Sequence, residues 1–208
     1  MRTLTIEKTV YPFEELSSKA KARVCDWYRE GLDDFADFTI EDFRQVCELI
    51  GIDLRTRNVK LMNGSTRPEP CVYWQLAYSQ GDGASFEGTY TYRKGASKAI
   101  RQHAPQDTRL HAIVDALQAV QARWFYKLSA NCRDSRCCLL VDVEHADDQY
   151  RSIDRNTERE ISDQLDRLAS WLYEQLRSEY EHQTSEETVA EMCESNDWEF
   201  DESGRIHR

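Results

Sequence analysis

The residues best suited to chemistry lie around a glycine-rich turn in the middle of the chain. Gly81-Asp82-Gly83 follows Ser79 and Gln80 and precedes Glu87. A phosphate-binding loop opens a helix and supplies Lys, Ser or Thr at fixed spacing. Here a strand pattern follows instead, and an aspartate at the tip would repel phosphate. The spacing therefore predicts a hairpin turn whose glycines permit positive φ. The functional alternative is a polar recognition edge formed by Ser79, Gln80, Asp82 and Glu87.

A second candidate is a group of cysteines with a histidine downstream: Cys132, Cys137, Cys138 and His145. Zinc sites usually combine two closely spaced ligand pairs, and the second pair is missing here. Adjacent cysteines in a strand point to opposite faces, so only one of Cys137 and Cys138 can join a shared site. We therefore expect no metal site at these cysteines and no cofactor. The chain has seven cysteines, which is an odd number, and it has no apolar signal segment. These features predict reduced thiols in a cytoplasm.

A third candidate is the carboxylate group Asp142, Glu144, Asp147 and Asp148 near the end of a predicted strand. Such a group binds a divalent cation in some proteins and is a solvated loop in others, and both options stay open. An enzyme acting on a nucleotide or nucleic acid would use Asp82, Glu87, Asp142 or Glu144. However, the sequence contains no G-x-S-x-G, H-E-x-x-H or Walker motif. We therefore predict no catalytic residue and favour a non-enzymatic protein.

Charge is distributed unevenly along the 208 residues. The chain carries a net charge of −11. Residues 1–60 contribute −2, residues 61–139 contribute +4 and residues 140–208 contribute −13. Charge asymmetry of this kind often marks an interaction surface. The alternative is a solvated helix face with an acidic tail, because acidic side chains favour water.

The overall composition excludes several classes of protein. With 40% hydrophobic and 11% aromatic residues, the chain is globular rather than disordered. The sequence contains no run of about 18 apolar residues, so we predict no membrane span. A net-negative surface disfavours the wrapping of nucleic acid, whose phosphates require Lys and Arg. The basic residues of the middle third contact phosphate in one interpretation, and in the other they pair with acidic helices of the same molecule.

Hydrophobic periodicity predicts one α+β domain over residues 1–208, with an acidic helical C-terminal region at 155–208. The order of elements predicts an antiparallel sheet of about six strands, curved or flat, with helices packed on one side and a long C-terminal helix. Residues 63–70 are predicted as a loop because they are rich in turn residues. The predicted strands are 2–10, 52–62, 72–78, 85–92, 124–131 and 138–145. Apparent capping boxes at Thr157 and Thr184 predict the starts of the last two helices.

Three stretches resemble a family of small proteins from tailed bacteriophages and prophages. They are residues 9–21 (TVYPFEELSSKAK) with 26–30 (DWYRE), residues 78–88 (YSQGDGASFEG) and residues 198–205 (WEFDESGR). Proteins of that family are commonly labelled "antitoxin of toxin–antitoxin stability system". The resemblance covers nearly the whole chain and implies a phage accessory protein acting in the cytoplasm of an infected bacterium. It implies no catalytic residues.

These observations together predict a non-enzymatic binding protein that inhibits a bacterial defence system of the CRISPR or restriction type. A row of carboxylates mimics the phosphates of DNA and occupies a basic groove of a host complex. The candidate partner-binding residues are Glu174, Glu179, Glu181, Glu186 and Glu187, together with Ser79, Gln80, Asp82 and Glu87.

Three alternative functions remain open. An antitoxin-like protein would neutralise a toxin by direct protein contact through an apolar or aromatic surface. An enzyme would use the carboxylates named above. A nucleic-acid-binding protein would use the basic middle third, although we expect direct nucleic-acid binding less than protein binding.

Overall fold

The computed structural model describes residues 7–32, 34–62, 64–77, 81–146 and 153–207. Within these ranges the chain forms six α-helices: α1 (Ser18–Glu30), α2 (Asp37–Ile50), α3 (Ala96–His103), α4 (Thr108–Arg123), α5 (Arg155–Gln183) and α6 (Glu186–Ser195). The described strands are β1 (Ile52–Leu54), β2 (Thr56–Lys60), β3 (Thr66–Pro70), β4 (Val72–Gln75), β5 (Gly83–Phe86), β6 (Gly88–Thr91), β7 (Leu128–Ser135), β8 (Cys138–His145), β9 (Glu199–Phe200) and β10 (Ile206–His207). The predicted α+β class, with antiparallel strands and a long helix towards the C-terminus, is confirmed.

The chain divides into two compact units. The smaller unit comprises residues 1–37 and 178–208, and the larger unit comprises residues 38–177. The helix α5 contributes residues to both, because the boundary falls at Ser178. In the described part of the chain, no helix has the length and apolar character needed to cross a bilayer.

A four-stranded antiparallel sheet, with strand order β1-β6-β7-β8, forms the centre of the larger unit. Its register aligns Ile52, Tyr90, Ala130 and Val143 across one face. The first three of these side chains are buried. The neighbouring row, Asp53, Thr89, Asn131 and Asp142, is exposed on the other face. The alternation of apolar and polar residues along each strand therefore decides which face is covered.

The hairpin predicted around Gly81 is present, but its second strand is shorter than predicted. β4 pairs with β5, from Val72 opposite Phe86 to Gln75 opposite Gly83. The stretch predicted as one strand over 85–92 is interrupted at Glu87, whose N–H donates to the carbonyl of Cys71. Beyond Glu87, β6 joins the four-stranded sheet.

The strand predicted at 124–131 begins four residues later than expected. Trp124 caps the end of α4, and Phe125 and Tyr126 have positive φ angles of 53° and 63°. Their aromatic side chains resemble a strand pattern, but the backbone there reverses direction. β7 and β8 are joined by a tight turn at Arg136 and Cys137, with φ angles of 55° and 61°.

The loop predicted at 63–70 is instead largely a strand. β3 pairs with β2 in a separate two-stranded ribbon, with Pro68 opposite Asn58 and Pro70 opposite Thr56. Because these pairs share one parity, both prolines lie where the backbone N–H would point away from β2. The prolines therefore cost the ladder no hydrogen bond, and composition alone predicts the wrong element.

The smaller unit has its own apolar core. The buried side chains are Phe13, Leu16, Ala20, Val24, Cys25, Val189, Cys193 and Phe200. A short 3₁₀ turn (Phe13–Glu15) precedes α1, which starts after the capping residue Ser17. Of the strand predicted at 2–10, residues 1–6 lie outside the described ranges and residues 7–10 are not in a strand. Tyr11 and Phe200 instead exchange two backbone hydrogen bonds, of 2.8 and 2.9 Å.

Candidate functional site

Almost all of the net charge belongs to the smaller unit. Its two segments contain 18 acidic and 8 basic residues, a net charge of −10. The larger unit contains 20 acidic and 19 basic residues, a net charge of −1. The acidity therefore follows a structural boundary, which the division of the sequence into thirds does not reveal.

A groove with a volume of about 450 Å³ opens on the smaller unit. Its floor is mainly apolar, formed by Pro12, Phe13, Ala190, Cys193 and Trp198. Its rim consists of six carboxylates: Glu14, Glu187, Glu191, Glu194, Asp197 and Glu199. Among the described residues that line this acidic groove there is no Lys, Arg or His. The groove combines a surface for apolar contact with a strongly negative border.

Helix α6 supplies one wall of the acidic groove. The hydroxyl of Ser185 accepts a hydrogen bond of 3.2 Å from the backbone N–H of Thr188, which starts the helix. Glu187, Glu191 and Glu194 follow at the i, i+4 and i+7 positions that share one helix face. Val189 and Cys193, on the other face of the helix, lie in the core of the smaller unit.

The chain after α6 folds back to form the end of the groove. Asp197 has a positive φ of 51°, and the N–H of Trp198 then donates to the carbonyl of Cys193 at 2.9 Å. The Trp198 ring meets Trp27 of α1 edge to face. Burial, followed by the nearby Cys25 thiol, raises the pKa of Cys193 to about 11, so this floor residue stays an uncharged thiol at neutral pH.

The acidic rim lowers the stability of the smaller unit. Like charges at i and i+4 on a helix destabilise it by about 0.2–0.5 kcal/mol per pair. Glu187, Glu191 and Glu194 are all exposed. Within the part of the chain that the structure describes, no ion pair involves a rim carboxylate. A bound cationic group would remove this repulsion.

The five glutamates predicted to bind a partner are not brought together at one place. Glu187 lies on the rim of the acidic groove, and Glu186 precedes it in the first turn of α6. Glu179 accepts a hydrogen bond from the Gln183 amide one turn later in α5, and Glu181 is exposed on the same helix. Glu174 belongs to the larger unit and pairs with Arg109.

The predicted recognition edge is described only in part. Ser79 and Gln80 lie outside the described residues. One carboxylate oxygen of Asp82 accepts from the N–H of Ala77 at 2.9 Å, so it stabilises its own turn. Glu87 pairs with Arg55 at 3.0 Å. Asp82 lines a cavity of about 440 Å³ and Glu87 a different one of about 350 Å³.

The remaining candidates have structural surroundings. Asp142 pairs with Arg133 across the strand pair, and Glu144 lies opposite Ser129 on the exposed face of β8. Asp147 and Asp148 are outside the described ranges. Cys132 is buried while Cys138 is exposed on β8. Among the described side chains, no three His, Cys, Asp or Glu residues are grouped as metal ligands.

Sequence reasoning singled out only Glu187 of the six rim carboxylates. Glu191, Glu194, Asp197 and Glu199 lie within the predicted acidic C-terminal region 155–208, and Glu14 lies outside it. One signal was available, because the i, i+4 and i+7 spacing in α6 places Glu191 and Glu194 beside Glu187. Glu14 comes from the other end of the chain, and no spacing in the sequence relates it to α6.

Comparisons with known proteins concern mainly the larger unit. Neither the curated proteins nor the solved structures contain a match to the chain. A family model matches residues 35–186, nearly three quarters of the sequence. The matched region contains the whole of the larger unit, whereas most of the smaller unit lies outside it. The chain belongs to the family described as a domain of unknown function, DUF8835.

Proposed function

We propose that the chain is a non-enzymatic binding protein whose acidic groove holds a basic segment of a partner protein. The observation that carries this proposal is the set of six carboxylates around an apolar floor, with no cation among the described lining residues. Opposite charge steers the partner to the groove and selects it. Desolvated aromatic and apolar side chains at the centre of an interface then contribute most of the affinity.

Basic surfaces that would fit such a groove occur on nucleic-acid-binding proteins, because Lys and Arg neutralise phosphates. The net charge of −10 on the smaller unit offers an alternative occupant for such a surface. Together with the resemblance to phage proteins, this supports inhibition of a bacterial defence complex of the CRISPR or restriction type. The inhibitor would compete with DNA for a basic groove.

The apolar floor of the groove supports a second candidate function. Pro12 is exposed on this floor, and Ala190 and Trp198 are half-buried. A toxin that docks on these side chains would be neutralised by apolar contact, as in an antitoxin-like protein. Binding through the floor survives high salt, whereas binding through the rim weakens as salt screens the charges. The salt dependence of binding therefore separates the two candidates.

The experiment that tests the anti-defence proposal expresses the chain in bacteria that carry a CRISPR or restriction system. The efficiency of plaque formation by a sensitive phage is then measured. The groove variant is Glu187→Lys, Glu191→Lys and Glu194→Lys. Its matched control is Glu15→Lys, Glu30→Lys and Glu202→Lys, which makes the same change in charge at exposed sites of the same unit outside the groove lining.

We expect the unmodified chain and the control variant to restore plaque formation, and the groove variant to lose at least tenfold of that protection. Equal protection by both variants would contradict a role for the groove. If no tested defence system is affected and a toxin is neutralised instead, the antitoxin-like function replaces the anti-defence function.

A further inference from the structure

The two-stranded ribbon formed by β2 and β3 in the larger unit is uncovered on both faces. The strands pair from Thr56 opposite Pro70 to Lys60 opposite Thr66. No residue within the described positions 55–62 and 64–70 is buried. A two-stranded hairpin alone is marginally stable in water. The ribbon therefore exposes both of its faces at some cost in stability.

The ribbon is basic although the chain is acidic. Residues 55–70 contain four basic side chains and one acidic one, a net charge of +3. Arg57 and Arg67 share one face, because Arg57 lies opposite Glu69 and Glu69 is two residues from Arg67. We call this the arginine face. The guanidinium of Arg57 lies 5.8 Å from the centroid of the Tyr73 ring, and Arg67 pairs with Glu69 at 2.9 Å. Both contacts orient an arginine that is still exposed to solvent.

The tip of the ribbon carries apolar side chains. Met62 is fully exposed, and Leu61 is exposed beside it. The N–H of Leu61 donates to Ser65 and the N–H of Gly64 donates to Leu61, at 2.8 and 2.9 Å. These hydrogen bonds close the turn below the two apolar side chains. The two adjacent side chains are therefore available for apolar contact with a partner.

The edge of the ribbon that β3 forms is closed to strand addition. Pro68 and Pro70 remove two of the N–H groups that β3 would otherwise present outward. A partner strand could not form a continuous ladder along this edge. The β3 edge therefore offers no strand pairing, whereas the arginine face, the opposite face with Lys60 and the apolar tip are exposed to a partner.

We propose that this ribbon binds duplex nucleic acid. A strand of five residues is about 17 Å long, and a major groove about 12 Å wide and 8.5 Å deep admits a two-stranded ribbon. Arg57, Arg67 and Lys60 contact phosphates, and Met62 contacts the base edges. An acidic protein would also satisfy the charges, but the dimensions of the ribbon match a major groove, which favours the duplex. The proposal concerns the larger unit and does not depend on the proposed function of the smaller one.

The test measures fluorescence anisotropy of a labelled DNA duplex of about 20 base pairs with the full chain, starting at about 50 mM salt. The ribbon variant is Arg57→Ala, Lys60→Ala and Arg67→Ala. The matched control, Lys94→Ala, Lys98→Ala and Arg159→Ala, removes the same charge from exposed sites elsewhere in the larger unit. A tip variant, Leu61→Ser and Met62→Ser, removes the apolar contact without changing the charge. Thermal unfolding by circular dichroism verifies that each variant folds.

We expect the ribbon variant to bind at least tenfold more weakly and to lower the slope of log K against log salt by about 2 to 3. The tip variant should bind more weakly with an unchanged slope, and the control variant should bind within about threefold of the unmodified chain. No binding at the lowest salt, or equal losses in the ribbon and control variants, would overturn the proposal. Sedimentation provides a further test. If the only effect of the ribbon variant is to separate two associated copies of the chain, the proposal is overturned as well.

Discussion

The rings of Trp27 and Trp198 meet edge to face, with their centroids 5.2 Å apart and their planes at 75°. This pair joins α1 to the segment that forms the end of the acidic groove, because Trp198 is also a floor residue. An aromatic pair of this geometry contributes about 0.5–1.5 kcal/mol beyond its buried area. The groove therefore depends on a side chain that also stabilises the core of the smaller unit.

Replacement of Trp198 by alanine should lower the free energy of unfolding of the smaller unit by about 2 kcal/mol. Urea denaturation followed by tryptophan fluorescence measures this change. Trp198→Phe should lose less than half of the free energy that Trp198→Ala loses, because an aromatic ring still faces Trp27. Met192→Ala, on α6 but outside the groove lining, is the control and should cost less than about 0.5 kcal/mol. Equal effects of Trp198→Ala and Met192→Ala would show that the aromatic pair contributes nothing.

Gly204 provides a second stability test, because its φ is +82° and a Cβ there would lie 2.5 Å from the carbonyl oxygen of Ala20. Gly64 has the same φ of +82°, but nothing lies within 4 Å of a Cβ at that position. Gly64→Ala should therefore cost about 1 kcal/mol from the backbone alone. Gly204→Ala should cost at least 2 kcal/mol more than that, since the clash is with backbone atoms. Thermal unfolding of both variants measures the difference, and similar losses would contradict the close approach of Gly204 to α1.

Asp107 links two helices of the larger unit through one carboxylate. One oxygen accepts from the N–H of Leu110 at 2.8 Å and caps α4, while the other accepts from the indole N–H of Trp171 at 2.7 Å. Asp107→Ala should lower the free energy of unfolding by about 2–3 kcal/mol, because it removes a cap and leaves the indole N–H of the buried Trp171 unpaired. Ser185→Ala removes a cap and an exchangeable hydrogen bond to the Thr188 hydroxyl but leaves no indole donor unpaired, and it should cost about 1 kcal/mol. Chemical denaturation compares the two, and equal losses would show that the Trp171 bond is without effect.

The buried thiols predict a loss of stability at alkaline pH. Burial raises the pKa of Cys132 from 9.0 to about 12, and the nearby carboxylate of Asp166 raises it further in the same direction. The unfolded chain ionises this thiol first, so its contribution to stability is complete below pH 9 and is lost as the pH rises towards 12. The free energy of unfolding should therefore fall above pH 9, and it should fall less steeply in Cys132→Ala. Identical pH profiles for the two proteins would contradict burial of this thiol.

The sequence predicts the ends of a helix or strand correctly where neighbouring residues in the chain determine them. β8 has the predicted bounds, 138–145. The start of α5 was predicted wrongly at Thr157. Asp154 caps this helix instead, accepting from the N–H groups of Asn156 and Thr157 at 3.0 Å each. Thr157 is buried and accepts from the Trp124 indole at 3.1 Å, a tertiary contact that no capping pattern reveals.

The candidate site was less predictable than the elements, for a physical reason. The acidic groove combines Glu14, from near the start of the chain, with residues of α6 and the segment after it. Periodicity relates only residues within one element, so it identifies the acidic face of α6 but not the second wall. The sequence also provides no boundary at Ser178, so it does not reveal that Glu174 belongs to the larger unit and Glu179 to the smaller one.

The central claim is that the acidic groove, rather than overall negative charge, binds a basic segment. The most direct measurement titrates the full chain with a labelled helical peptide composed of lysine and leucine. The titration is repeated at salt concentrations from about 50 to 500 mM. We predict that Glu187→Lys, Glu191→Lys and Glu194→Lys together weaken binding at least tenfold at low salt. The control Glu15→Lys, Glu30→Lys and Glu202→Lys should change it by less than about threefold. Equal weakening in the two variants, or no binding of the peptide at the lowest salt, would contradict the claim.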